Sequence, residues 1–132
     1  MSDPLRLGIA GLGTVGTGVI KIVQRHADLL AARSGRPIEI TAISARTRDK
    51  DRGVRLTSYD WEDDPVALAK RDDVDVFVEL MGGSDGPAKA ACEAAILSWY
   101  RENRTSVSSA CEAGIEGLFD RLVLRQLERE AC

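Results

Sequence analysis

Only one histidine, three cysteines and four prolines occur among 132 residues, and aromatic side chains make up 5% of the chain. Cys92, Cys111 and Cys132 are an odd number at spacings that suit no metal site. Cys92 and Cys111 read as small core residues, Cys132 as exposed, and the setting as reducing and cytoplasmic. His26 falls mid-helix, far from the other motifs, and reads as a surface or partly buried residue and not a catalyst. No apolar run is long enough to span a bilayer. Met1-Ser2-Asp3-Pro4 lacks the basic and apolar regions of a secretory leader. Neither sign of charge dominates: 18 Lys and Arg face 21 Asp and Glu, for a net charge of −3. That leaves no basic field for nucleic acid and no acidic tail. Internal repeats and low-complexity linkers are missing too. What remains is one globular domain, 44% hydrophobic, with enough chain for a sizeable core.

What is present begins at once. Leu5 to Ala10 is a short apolar run that reads as a buried strand. It ends in Gly11-Leu12-Gly13-Thr14-Val15-Gly16, which fits G-x-G-x-x-G, and a helical pattern follows. Strand, glycine turn and helix in that order are the context in which this motif means dinucleotide binding. Gly11 permits the tight turn, Gly13 lets backbone approach a pyrophosphate, and Gly16 lets helix pack on strand. The helix N-terminus offers free N–H groups and a positive dipole end to the phosphates. A glycine-rich turn without a ligand is the plain alternative.

Val15, Val19, Ile22, Val23 and Leu30 follow helical spacing, widened by Ile20, Ala27 and Leu29, and predict one helix from Thr14 to Ala32 with Gly35 as its stop. Ile38 to Ser44 reads as the second strand. An acid at the end of this strand would bond a ribose 2′-OH; this chain has Ser44-Ala45-Arg46-Thr47-Arg48 instead. Arg46 suits a 2′-phosphate through charge-assisted hydrogen bonds, which favours NADP and leaves NAD possible. The alternative is a solvated charged loop, since Arg48, Asp49, Lys50, Asp51 and Arg52 continue it. Val54 to Leu56 is a doubtful short strand, and Trp61 packs its loop on the core. Asp64-Pro65 opens a short helix reaching Arg71.

Val74 to Leu80 is a strong strand. In a doubly wound sheet its end lies beside the glycine turn, so Leu80, Met81, Gly82 and Gly83 would flank the cofactor's ribose. Glu79 reads as a strand-end carboxylate bonded to backbone or solvent, in preference to a general base. Pro87 to Arg101 is helical, with Ala88, Ala91, Cys92, Ala95, Ile96 and Trp99 on one face. Arg104 to Ser109 is the remaining strand candidate, and Glu112 to Glu130 an amphipathic helix. The sum is a three-layer α/β domain with a mostly parallel sheet of four or five strands.

Three stretches together resemble the homoserine dehydrogenases. They are Leu7 to Gly18, Trp61-Glu62-Asp63-Asp64-Pro65, and Glu79-Leu80-Met81-Gly82-Gly83 with Pro87 and its alanine-rich helix. The resemblance covers residues 4–95 and implies a Rossmann-like domain. It also implies reduction of aspartate semialdehyde to homoserine with a nicotinamide cofactor. Gly11, Gly13, Thr14, Val15 and Gly16 would hold the pyrophosphate and Arg46 the adenosine phosphate.

The likeness stops after Ala95. Family members continue into a strand ending Thr-Ala-Asn-Lys, whose lysine belongs to the active site, and then into a substrate domain. Here the corresponding candidate ends Ser106-Val107-Ser108-Ser109. Residues 96–132 read as a βα tail that completes a single domain over 1–132, either a joined or designed chimera or a natural truncated variant. The expectation is a dinucleotide-binding domain without catalysis as an isolated chain. The rival is a structural scaffold that binds cofactor weakly or not at all. Composition leaves the oligomeric state open.

Overall fold

Burial deepens along the first strand, β1 (Leu5–Ala10), until Ile9 and Ala10 are fully enclosed. The computed structural model describes residues 2–83 and 85–110. After β1 come α1 (Thr14–Arg25), α2 (Ala27–Ser34), β2 (Ile38–Ser44), β3 (Asp60–Trp61), α3 (Pro65–Ala69), β4 (Val76–Glu79) and α4 (Pro87–Ala110). The strands form one parallel sheet in the order β3-β2-β1-β4. From β1 the chain winds outward through β2 to β3, then returns to add β4 on the other side. The reversal beside β1 is a topological switch point, and a crevice opens there at the strands' C-terminal ends.

The two faces of the sheet feed two cores. Ile9, Ile40 and Ile43 join Leu12 and Ile20 on the α1 face. Ala10 and Ala42 join Leu68 of α3 on the other, with Val74, Phe77 and Met81 packed around them. The small residues on the α3 side suit close approach of that short helix. Along β1 and β2 the register slips once: Leu7 faces Ile40 but Gly8 faces Ala42, leaving Thr41 between.

The chain divides into two units, Met1–Ala94 and Ala95–Cys132. The sheet and α1 to α3 belong to the first. In the second, the described residues 95–110 are all helical.

Several expectations are corrected. The single helix over 14–32 is two, broken at His26, whose φ of −122° and ψ of 29° interrupt the helical run. Gly35 ends the second, in the left-handed region at φ 77°. Ile20 points into the core, whereas Val15 and Ile22 stay 62% and 53% exposed. At about 100° per residue, Ile22 lies some 200° around the helix from Ile20. Val54 to Leu56 makes no strand; the third strand is Asp60–Trp61, fixed by pairing with Ala42 and Ile43. Its Trp61 packs against the α1-side core. The helix after Asp64 stops at Ala69, and the last strand spans only Val76–Glu79.

The strand expected at 104–109 is instead the end of α4. No glycine or proline interrupts residues 88–113, and extending an existing helix costs far less than nucleating a new element. Along α4, Ala94 and Leu97 are buried with Ala88 and Ala91, while Ile96 is exposed and Cys92 only half-buried. Burial raises the Cys92 thiol pKa, helped by the charges of Glu79 and Glu93. Cys111, Cys132 and the helix read at 112–130 lie outside the described residues.

Two arginines tie the α3–β4 connection to the sheet. Arg71 bonds Asp73, Asp60 and Glu62 at 2.7, 2.7 and 3.0 Å. Its pKa is raised by those carboxylates, Asp73 first, and that of Asp73 is lowered in return. Arg6 grips Asp75 through Nε at 3.1 Å and Nη2 at 2.8 Å, while its backbone N–H donates to the same carboxylate at 2.9 Å.

Candidate functional site

The three motif glycines do three different jobs, and the space around each shows which. Gly11 has φ 101°, a conformation that side chains with a Cβ rarely adopt. A Cβ there would lie 2.5 Å from the Leu80 carbonyl carbon and oxygen. At Gly16 a Cβ would lie 1.8 Å from the Gly11 carbonyl oxygen. At Gly13 it would meet nothing within 4 Å. Gly11 and Gly16 are therefore required by packing. Gly13 faces open space, where a Cβ would intrude only on a ligand.

Hydrogen bonds join the strand ends around this turn. Gly11 N–H donates to the Ser44 carbonyl at 2.9 Å, and Leu80 N–H to that of Ala10 at 2.7 Å. Helix α1 starts directly after Gly13. That N-cap residue has no side chain to cap it, and no acidic residue stands in the first turn. The first N–H groups of a helix have no intrahelical acceptor, so this end presents donors and a positive dipole. Thr17 does not supply the missing cap: its N–H and Oγ1 both donate to the Gly13 carbonyl, at 3.0 and 2.7 Å.

A crevice of ≈ 590 Å³ lies over the turn, within the range of small-molecule and cofactor sites. Gly11, Leu12 and Gly13 form its floor. Ser44 to Thr47, Lys50 and Arg52 wall one side, and Leu80, Met81 and Gly82 the other. Of the residues read from the sequence, Gly11, Gly13, Arg46, Leu80 and Gly82 thus converge. Thr14, Val15 and Gly16 lie on α1 and are not part of the wall. Gly83 is not on it either; Gly82 and Gly83 both take positive φ, 79° and 92°.

Glu79 is engaged in shaping this lip. Its Oε1 accepts from the backbone N–H of Met81 and, at 3.1 Å, from that of Gly82. The carboxylate thereby folds the Leu80 to Gly82 turn.

Charge on the other wall is distributed unevenly. Arg46 and Lys50 are exposed and make no salt bridge among the described residues, although Asp49 and Asp51 are close in sequence. Arg52 donates to the carbonyls of Leu12, Lys50 and Thr47 at 3.2, 3.0 and 2.6 Å. Sequence reasoning passed Arg52 over as one member of a charged loop, because its partners are backbone carbonyls that leave no pattern in side-chain type. Asp63 also lines the crevice and accepts from Trp61 Nε1 at 2.9 Å. Among the described residues no group of His, Cys, Asp and Glu is placed to hold a metal, and no helix is long and apolar enough to cross a membrane.

A parallel sheet in doubly wound order, with a glycine turn and an uncapped helix start at its switch point, defines a dinucleotide-binding α/β domain. The comparisons narrow that class. The family described as "Homoserine dehydrogenase, NAD binding domain" matches residues 11–97. A homoserine dehydrogenase of Methylobacillus glycogenes is 38% identical over 80 residues, covering 61% of this chain and 19% of that protein. One of Bacillus subtilis is 41% identical over 86 residues, covering 60% and 18%. Among solved structures, S. aureus homoserine dehydrogenase at pH 8.5 superposes with a TM-score of 0.67 and 28% identity, over 75% of this chain and 25% of that one. The chain belongs to the homoserine dehydrogenase family and carries its NAD-binding domain. It spans about a fifth of the length of the curated relatives it matches.

Proposed function

We propose that the crevice binds the nicotinamide dinucleotide of a homoserine dehydrogenase and that NADP(H) is preferred to NAD(H). The observation that carries this reading is the open space over Gly13, bounded by an uncapped helix start on one side and, on the other, by Arg46 and Lys50, which make no salt bridge among the described residues. The residues fit the cofactor. The backbone at Gly11, Gly13, Thr14, Val15 and Gly16 would seat the pyrophosphate, since phosphates suit exposed N–H groups at a helix start. Arg46 would meet the 2′-phosphate, where a planar fork of donors suits phosphate oxygens. Leu80 and Gly82, which line the crevice, would flank the cofactor's ribose.

The cofactor supplies the hydride in reduction of an aldehyde such as aspartate semialdehyde. This chain's part is to bind and orient it. The positioning of the aldehyde and the delivery of a proton need further groups, and these residues contain no Thr-Ala-Asn-Lys strand. The 132 residues by themselves should therefore bind without turnover, scored as NADPH consumption with aspartate semialdehyde.

Calorimetric titration of the chain with NADPH tests the reading, with Gly13→Glu as control. Saturable binding that the control abolishes, while it keeps the far-UV spectrum of the parent, is expected. No saturation up to millimolar NADPH or NADH would leave an α/β scaffold that holds no cofactor.

A further inference from the structure

Arg52 spans a gap that the other crevice cations leave open. Leu12, whose carbonyl accepts from its Nε, sits between the two glycines of the turn. Thr47 and Lys50, whose carbonyls accept from Nη2 and Nη1, bound the loop that carries the crevice charge. One half-buried guanidinium thus joins the proposed pyrophosphate seat to the proposed 2′-phosphate loop. The group is rigid and planar, has five N–H donors and no acceptor, and fixes the carbonyls it binds relative to one another. It also sets a positive charge among three carbonyl oxygens.

We propose that Arg52 is a positioning residue for NADP(H). It locks the Thr47 to Lys50 loop to the glycine turn, so that Arg46 and Lys50 meet the 2′-phosphate at a set distance from the pyrophosphate. The inference rests on the crevice being a dinucleotide site. Arg52 acts through its neighbours: three of its donors are already committed to backbone. NADH lacks the phosphate that the loop would meet, so the loop's placement matters little to it.

The test is calorimetric titration of the full chain with NADPH and with NADH. Arg52→Met keeps the length of the side chain and removes its donors. It should weaken NADPH about fivefold or more and NADH less than about twofold, as expected for a few lost charge-assisted contacts. In an Arg46→Ala/Lys50→Ala background the same substitution should change NADPH less than about twofold, because coupled residues are not additive. Arg52→Lys keeps the charge but loses the fork, and should show the same selective loss of NADPH.

Equal losses for both cofactors would overturn the proposal, since Arg52 would then serve the fold. An undiminished loss in the background lacking Arg46 and Lys50 would overturn it too, by making Arg52 a direct ligand. So would unfolding of both the Met and the Lys variant. Failure of the parent chain to bind either cofactor is a separate result; it removes the dinucleotide reading itself.

Discussion

Two densely charged loops, the first mostly basic and the second mostly acidic, meet opposite fates. Residues 46–52 read Arg-Thr-Arg-Asp-Lys-Asp-Arg and residues 70–75 read Lys-Arg-Asp-Asp-Val-Asp. In the second, arginine and carboxylate find each other: Arg71 gathers Asp60, Glu62 and Asp73, and Asp75 takes Arg6. In the first, Arg52 turns to carbonyls and Arg46 takes no carboxylate among the described residues. The difference follows from which end of a strand each loop serves. Residues 70–75 lead into β4, where charge can be consumed in holding the sheet. Residues 46–52 leave β2 at the crevice side, where ligands bind in such sheets. Cations neutralised in one loop are left available in the other.

The largest expected effect tests whether the crevice end is free of structural duty, and at Gly16 it is not. Gly16→Ala should destabilise the fold by about 3 kcal/mol or more, because backbone oxygen must move to admit the methyl group. Gly13→Ala should cost no more than about 1 kcal/mol, chiefly as a poorer N-cap. Urea denaturation of both variants measures the gap; equal losses would remove the distinction between packing glycine and ligand glycine.

Next in size, Arg71→Met should lower stability by about 2 kcal/mol, leaving three carboxylates without their partner. Cofactor affinity should not change. A parallel loss of NADPH binding would mean that the two loops are not separate in function.

Asp75→Asn gives a smaller effect with a pH signature. Hydrogen bonds from the Arg6 side chain, then from its backbone N–H, pull the Asp75 carboxyl down to about 2. The folded state therefore favours the ionised form. Stability from the pair is present above the unfolded pKa near 4 and is lost as pH falls toward 2. The parent should exceed Asp75→Asn by about 1 kcal/mol at neutral pH, discounted for a pair one-third exposed. Chemical denaturation at pH 7 and pH 2.5 should show the gap closing.

The smallest change should fall on the ligand alone. Arg46→Ala should weaken NADPH several-fold, about 1 kcal/mol for a charge-assisted contact at an exposed site. NADH affinity and melting temperature should stay as they are. A shift in melting temperature with no change in binding would reverse the assignment of the two loops.

Sequence read best where local chemistry decides the outcome. The bounds of β1 and β2 follow from runs rich in apolar and β-branched residues, each buried over its last three positions. Asp64 caps α3 by accepting from Val66 N–H at 2.9 Å, as its place before Pro65 implies. The glycine turn was legible because the motif records where side chains do not fit. Asp60–Trp61 was not legible, since two residues carry no periodicity and only pairing with β2 makes them a strand. Residues 104–109 misled because serine, threonine and valine favour extension locally, while the helix already running from Pro87 meets no breaker. Arg52 could not be singled out, since a bond to backbone is written in the fold and not in residue type.

Trp61 sits close to the cations of the crevice loop. Its indole has two cations near it, Arg48 and Arg52, each 5.9 Å from the ring centroid, while its N–H is held by Asp63 on the crevice wall. An indole's dipole grows in its excited state, so the colour of its emission depends on the charges around it. Trp61, on β3, is therefore an optical gauge beside the loop that bears the crevice cations. In a Trp99→Phe background this is the one tryptophan left, and a change in emission colour reports directly on how that loop moves.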